Sequence, residues 1–298
     1  MAHRHDQGST NYNRAFAFGV ALNAGFVIVE AVYGIMAGSL ALLADACHNL
    51  SDVLGLLLAW GANYLVRRKP TERRTYGWRK SSILAALMNA VILLVALGGI
   101  AWEAIRRFSA PVQVAGKTII FVALIGVVIN TATALLFLSG RRRDLNIRGA
   151  FLHMVADAGV SAGVVIAGVV ILFTGMLWID PAVSLVITVV ILFGTWGLFR
   201  DAFNMAMDAV PRNIDPESVR AYLSGLPGVT GVHDMHIWAM STRETALTAH
   251  LVKPDPQDDD VLIETASKAL HEQFGINHIT LQWERCPSLN QCGDSCEK

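Results

Sequence analysis

Charge is scarce in this chain. Only 16% of its 298 residues are Asp, Glu, Lys or Arg, where a soluble protein has about a quarter. The hydrophobic share is 53%. That balance excludes disorder for most of the chain, because disorder needs low hydrophobicity and high net charge. Cysteine is scarce too: there are four, three of them beyond residue 285. A secreted scaffold held by disulfides is therefore excluded. There is no strict internal repeat and no low-complexity segment.

The formal net charge is zero, but by cancellation. Residues 1–208 carry 17 Lys and Arg against 11 Asp and Glu, and residues 209–298 carry 7 against 13. Two parts of opposite sign imply two environments. The first part holds six apolar runs, at roughly 14–36, 39–66, 81–105, 117–139, 149–174 and 178–200. Each is near the roughly 20 residues that cross a bilayer as a helix. The first run is too long for a cleaved signal peptide and has no small-residue cleavage site before a soluble domain.

The turns between these runs divide by charge. The turn after span 2 holds Arg67, Arg68, Lys69, Arg73, Arg74, Arg79 and Lys80. The turn after span 4 holds Arg141, Arg142, Arg143 and Arg148. On the other face only Arg106, Arg107 and Lys117 occur. The richer face belongs in the cytoplasm, and six spans then put both termini there.

After residue 208 the pattern changes. Asp215 is placed to cap a helix, with Pro216 at its first position and Glu217 in its first turn. That helix is expected to reach about Leu226. VTGVHDMHIWAM and ETALTAHLVKP read as strands, DDDVLIETASKALHEQFG as an amphipathic helix, and INHITLQWE as a last strand. Helix–strand–strand–helix–strand fits a small α+β domain with helices on one face of an antiparallel sheet. The expected organisation is an N-terminal tail at 1–13, a six-helix transmembrane domain at 14–208, an α+β domain at 209–285 and a Cys-containing tail at 286–298.

A charge inside a span costs at least a few kcal/mol, so each one is a candidate functional group. Span 2 carries His48 and Asp52, and span 5 carries His153 and Asp157. In both, an Asp follows a His by four positions, which is one face of a helix. Two such faces together present two imidazole nitrogens and two carboxylates, a donor set suited to tetrahedral Zn²⁺. The ion also cancels the charge of two carboxylates that are costly to bury alone. Asp45 lies near the face of His48, as an acceptor for its ring N–H, as a proton-pathway group or as a helix-interface residue. Glu103 is expected to pair with Arg106 and Arg107 at a membrane boundary. Glu30 lies deeper and has no evident role.

AGSLALLADACHNLSD, the two HxxxD pairs, TYGW after span 2 and GVTGVHDMHIW at 228–238 together resemble the cation diffusion facilitator family, closest to its zinc-type branch. The resemblance runs over about residues 14–286. It implies a homodimeric metal/proton antiporter in a lipid bilayer, with six transmembrane helices and a C-terminal cytoplasmic ferredoxin-like domain. It implies His48, Asp52, His153 and Asp157 as the transport site. A His at position 48 favours zinc, with cobalt and cadmium as companions. In the cytoplasmic domain it implies zinc ligands at His236, His250 and Glu284, with His233 matching a ligand elsewhere in the family. His278 shares a strand face with Glu284. Cys286, Cys292 and Cys296 are thiols in a reducing cytosol and suit metal better than a disulfide. His3 and His5 could complete such a site, in one subunit or across two.

The turn after span 2 has no His, so no metal site is expected there. Its basic residues are expected to set topology and to meet the acidic C-terminal domain or lipid headgroups. An intramembrane zinc protease would need a general base, usually in HExxH. That motif is absent, and the four-ligand set leaves no open position. The chain reads as an exporter of Zn²⁺ in exchange for protons and not as an enzyme. The alternative is a membrane-bound zinc sensor without flux. No nucleic-acid partner is expected. If bacterial, the protein belongs in the inner membrane.

Overall fold

The computed structural model describes residues 8–66, 68–138 and 145–285. Six long helices come first: α1 (Gly8–Ala37), α2 (Leu40–Val66), α3 (Ser81–Ser109), α4 (Gly116–Phe137), α5 (Leu145–Thr174) and α6 (Ile179–Ala206). Then follow α7 (Pro216–Ser224), β1 (Gly231–Ala239), β2 (Thr245–Val252), α8 (Asp259–Phe274) and β3 (His278–Glu284). Among the described residues, α2 to α6 are each long and apolar enough to cross a membrane, and α1 has a shorter apolar stretch over Ala21–Ala37. Large apolar side chains face outward along them, as at Phe173 and Phe193, which are 83% and 77% exposed. Such surface needs lipid around it.

The chain forms two compact units. In the first, α1 packs on α4 and α4 runs against α5. The core between helices is Phe26, Leu42, Leu97, Ile119, Val122 and Val164. Glycines let α4 and α5 approach closely. A Cβ on Gly168 would come within 2.9 Å of Ile120, and one on Gly126 within 2.9 Å of Phe26 and 3.0 Å of Ser161 Oγ.

The second unit holds the α2–α3 turn with the adjoining helix ends, the end of α6 and everything after it. Asp215 caps α7 as its sequence position implies, accepting from the Glu217 and Ser218 amides at 3.2 Å each. The Ser218 hydroxyl and these amides hold its carboxyl below the usual range. The helix closes at Gly225, just short of the expected end. Gly275 caps α8 with φ +70°, a left-handed turn that glycine enters without cost.

Strand orientation differs from the expected all-antiparallel sheet. The order is β1-β2-β3, with β1 antiparallel to β2 but β2 parallel to β3. The reason is α8. A helix joining neighbouring strands carries the chain back across the sheet, so the second strand runs in the direction of the first. Leu247, Ala249 and Leu251 of β2 share a core with Val219 and Leu223 of α7 and Leu270 of α8. The alternate positions of β2, His250 among them, point to the other face.

The basic turn after α2 meets the C-terminal domain within this unit. Arg79 pairs with Glu244 at 3.1 Å, and Lys80 with Asp208 at 2.7 Å. The Tyr76 ring meets His278 edge-on, 5.6 Å between centroids.

Candidate metal centre

One turn of helix separates His48 from Asp52 on α2 and His153 from Asp157 on α5. The two faces meet. His48 Nε2 lies 3.3 Å from Asp157 Oδ1 and 3.7 Å from Asp52 Oδ2. His153 Nε2 lies 3.0 Å from Asp52 Oδ2 and 3.6 Å from Asp157 Oδ2. Each His therefore faces both carboxylates, one on its own helix and one across. All four donor atoms lie within 4.8 Å of one another. A tetrahedral ion with bonds of about 2.0–2.1 Å holds its ligands roughly 3.3 Å apart, so the cluster has the right size for one such ion. Asp157 is buried, and its Oδ2 and His48 Nδ1 have no hydrogen-bond partner among the described residues. A cation among these groups offsets the cost of burying them.

Neighbouring polar groups hold the helix faces in place. Asp45 Oδ2 accepts from Ser161 Oγ on α5 at 2.9 Å. It is thus tied to α5 and does not accept from the His48 ring, as its sequence position allowed. Three residues before His48 it sits far enough around α2 to meet the neighbouring helix. Glu30 on α1 is fully buried and accepts from Asn49 Nδ2 at 3.1 Å, one residue past His48. Glu103 pairs with Arg106 and Arg107 at 3.3 Å each, as expected.

Sequence reasoning did not single out Asp180. It is buried at the start of α6 and binds the start of α2. It accepts from Ser39 Oγ at 2.5 Å and the Leu40 amide at 2.8 Å. Arg107 lies 3.7 Å from its Oδ2 and donates to the Gly38 carbonyl. An anion at a helix N-terminus meets unpaired amides and the positive end of the dipole. The available signal was the apolar setting: WID at the head of a span, and a serine one residue before another.

The C-terminal domain has a second cluster. His233 Nε2 is 2.9 Å from Glu284 Oε2, and His250 Nδ1 is 3.0 Å from Glu284 Oε1. The donors of these three residues also lie within 4.8 Å of one another. His236, implied by the resemblance, lies outside the group and faces Asp234 Oδ1 at 2.9 Å. Asp234 Oδ2 lies 3.6 Å from His250 Nε2. A bulge interrupts β1 here: its register slips between His233 and His236, which puts both on one face, and Asp234 turns left-handed at φ +49°. Asp234 was not singled out from the sequence, although two His three apart share a strand face only if an extra residue intervenes. His278 faces Tyr76 and does not join the cluster. His3, His5, Cys286, Cys292 and Cys296 lie outside the described residues.

Residues 17–205 match the cation efflux transmembrane domain, and residues 211–286 match the cation efflux protein cytoplasmic domain. The chain is 34% identical to the cadmium, cobalt and zinc/H⁺–K⁺ antiporter of Bacillus subtilis over 292 residues, covering 95% of this chain and 92% of that one. It is 36% identical to the zinc transporter ZitB of Escherichia coli over 294 residues, covering 96% and 94%. A solved metal-bound C-terminal domain of the CzcD transporter from Cupriavidus metallidurans is 32% identical, covering 24% of this chain and 99% of that one, with a TM-score of 0.22. With both domains matched in order along nearly the whole chain, this protein belongs to the cation diffusion facilitator family, in its zinc-type branch.

Proposed function

We propose that this protein exports Zn²⁺ from the cytoplasm in exchange for protons, with cobalt and cadmium as alternative cargo. The observation that carries the reading is the four-donor cluster of His48, Asp52, His153 and Asp157, built across two apolar helices. Two imidazoles and two carboxylates suit Zn²⁺, which takes four ligands and prefers nitrogen more than Mg²⁺ or Ca²⁺ do.

Metal ligands must be deprotonated, so cargo and protons compete for the same atoms. Metal arriving from the cytoplasm displaces protons from the two His. Rocking of the helices then opens the cluster to the other side. Protonation there releases the metal, and the protonated site returns. Histidine suits this exchange because its charge changes near neutral pH. Two histidines facing the same pair of carboxylates make the protonated site nearly neutral, which eases its return through lipid.

The Lys and Arg asymmetry supports a cytoplasmic place for the α2–α3 turn, the C-terminal domain and both termini. The protein acts as a homodimer, as the resemblance implies. His233, His250 and Glu284 would hold a zinc ion there, with Asp234 and His236 at its edge. Such an ion would report cytoplasmic metal and is separate from the cargo.

The test is Zn²⁺ flux into proteoliposomes under an imposed pH gradient, with Asp157→Ala in parallel. Flux that follows the gradient and disappears in the variant supports the reading. Flux surviving in the variant removes the intramembrane site. Zinc binding without flux in the unaltered protein favours a sensor.

A further inference from the structure

The α2–α3 turn, the adjoining helix ends and the end of β1 border an open cavity of about 650 Å³. This volume is in the range of small-molecule sites. Its composition is uneven. Leu65 and Leu84, from the ends of α2 and α3, give it an apolar side. Trp78 and Trp238 give it aromatic walls. Arg73 and Arg74 enter from the turn.

The cations differ in what they face. Arg79 and Lys80, which also line the cavity, are neutralised by Glu244 and Asp208. Arg73 and Arg74 have no carboxylate partner among the described residues. Arg74 is nonetheless held in place. Its guanidinium lies 3.8 Å above the Trp78 ring, and its backbone closes a two-way bridge with Thr71 at 3.1 and 3.0 Å. A stacked guanidinium keeps its donor edge free, and that planar edge fits a phosphate in two-point fashion.

The cavity sits where membrane helices end. Trp60 and Tyr64 are 74% and 60% exposed on the last turns of α2. Aromatic side chains of this kind gather at the level of lipid headgroups. The Arg68 guanidinium lies 5.4 Å from the Tyr64 ring and adds positive charge there.

We propose that this cavity binds the headgroup of one anionic phospholipid, its phosphate on Arg73 and Arg74 and its glycerol and first methylenes on Leu65 and Leu84. The occupant is argued from two needs met together. Unpaired guanidiniums call for a phosphate, and the apolar side calls for carbon attached to it. A zwitterionic lipid brings its own cation into a positive site and is disfavoured. The bound lipid bridges the turn and β1, bracing the same arrangement that Arg79–Glu244 and Lys80–Asp208 hold.

The experiment is native mass spectrometry of the full-length protein released from bilayers of phosphatidylcholine with phosphatidylglycerol. The unaltered protein is expected to retain phosphatidylglycerol over phosphatidylcholine. Arg73→Gln/Arg74→Gln is expected to lose that preference at least about fivefold, and the exposed Arg106→Gln to keep it. Arg73→Gln alone, at an exposed turn position, gives a partial loss and guards against a double variant that fails to fold. Equal retention in the unaltered and Arg73→Gln/Arg74→Gln proteins overturns the proposal. So does displacement of the lipid by millimolar inorganic phosphate, which identifies a free-phosphate site. The readout is lipid mass, so it stands or falls independently of zinc flux.

Discussion

Asp180 binds Ser39 across 141 residues of sequence, its carboxylate 2.5 Å from the serine hydroxyl at the head of α2. Ser39 Oγ in turn accepts from the Leu42 amide at 3.3 Å. The first turn of α2 is thus anchored to α6 by one buried acid. His48 and Asp52 lie two to three turns further along the same rigid helix. A rotation at its head moves both donors at the cluster.

Asp180→Ala leaves these amides unpaired and Arg107 without its buried acid. Losing one partner of such a buried charged network costs about 3–5 kcal/mol. Transport is expected to fall to background, with a lower thermal midpoint in detergent. Asp180→Asn keeps the shape and should retain part of both. Wild-type flux in Asp180→Ala removes the anchoring role.

His48→Asp turns an N₂O₂ donor set into NO₃. Harder oxygen ligands suit manganese better and zinc worse. Zinc flux is expected to drop at least about tenfold, and the manganese-to-zinc flux ratio to rise. Competition assays in proteoliposomes measure both. An unchanged ratio would show that residue 48 does not touch the cargo.

The grouping of His48, Asp52, His153 and Asp157 was legible in the sequence because its code is local. HxxxD occurs twice on apolar helices, and helical spacing puts each pair on one face. The spans α2 to α6 were legible for a similar reason, through the length of their apolar runs. What was not legible depends on contacts between distant segments. Asp180 looks like any acid at a helix start until Ser39 is beside it. Asp234 lies in a strand whose alternation breaks at a bulge, and register slips cannot be read from one strand alone. The parallel pairing of β2 and β3 followed from the intervening α8 and was open to inference. Asp45 shows what spacing leaves open: of the roles its place near His48 allows, the contact with Ser161 on α5 matches a helix-interface residue.

Gly168→Ala tests the close approach of α4 and α5. The added methyl would meet Ile120 Cγ1 at 2.9 Å and the Ile120 backbone nitrogen at 3.3 Å. A flexible side chain can give way, but the backbone cannot. Overpacking of this kind costs about 1–3 kcal/mol. Because α5 carries His153 and Asp157, zinc affinity at the cluster should weaken with stability, by calorimetry and thermal unfolding of the same sample. Gly163→Ala on the same helix, where a Cβ meets nothing within 4 Å, should be neutral.

Acid should loosen the C-terminal domain through Asp259. Arg285 and then Lys253 hold its carboxyl below the usual range. Lys253 is almost fully buried and also donates to the Gln257 carbonyl at 2.6 Å, so it ties the β2–α8 turn together. A carboxyl with a depressed folded-state pKa stabilises at pH values above its unfolded pKa of about 3.9. That contribution is lost as pH falls through the lower, folded value. Asp259→Asn should therefore speed amide exchange in the segment 253–285 of the full-length protein at pH 7. The difference from the unaltered protein should begin to shrink below pH of about 4, where the unfolded-state carboxyl takes up its proton, and reach zero only once pH falls through the lower, folded value. A difference that stays constant with pH would assign the effect to lost packing at Asp259 and not to its charge.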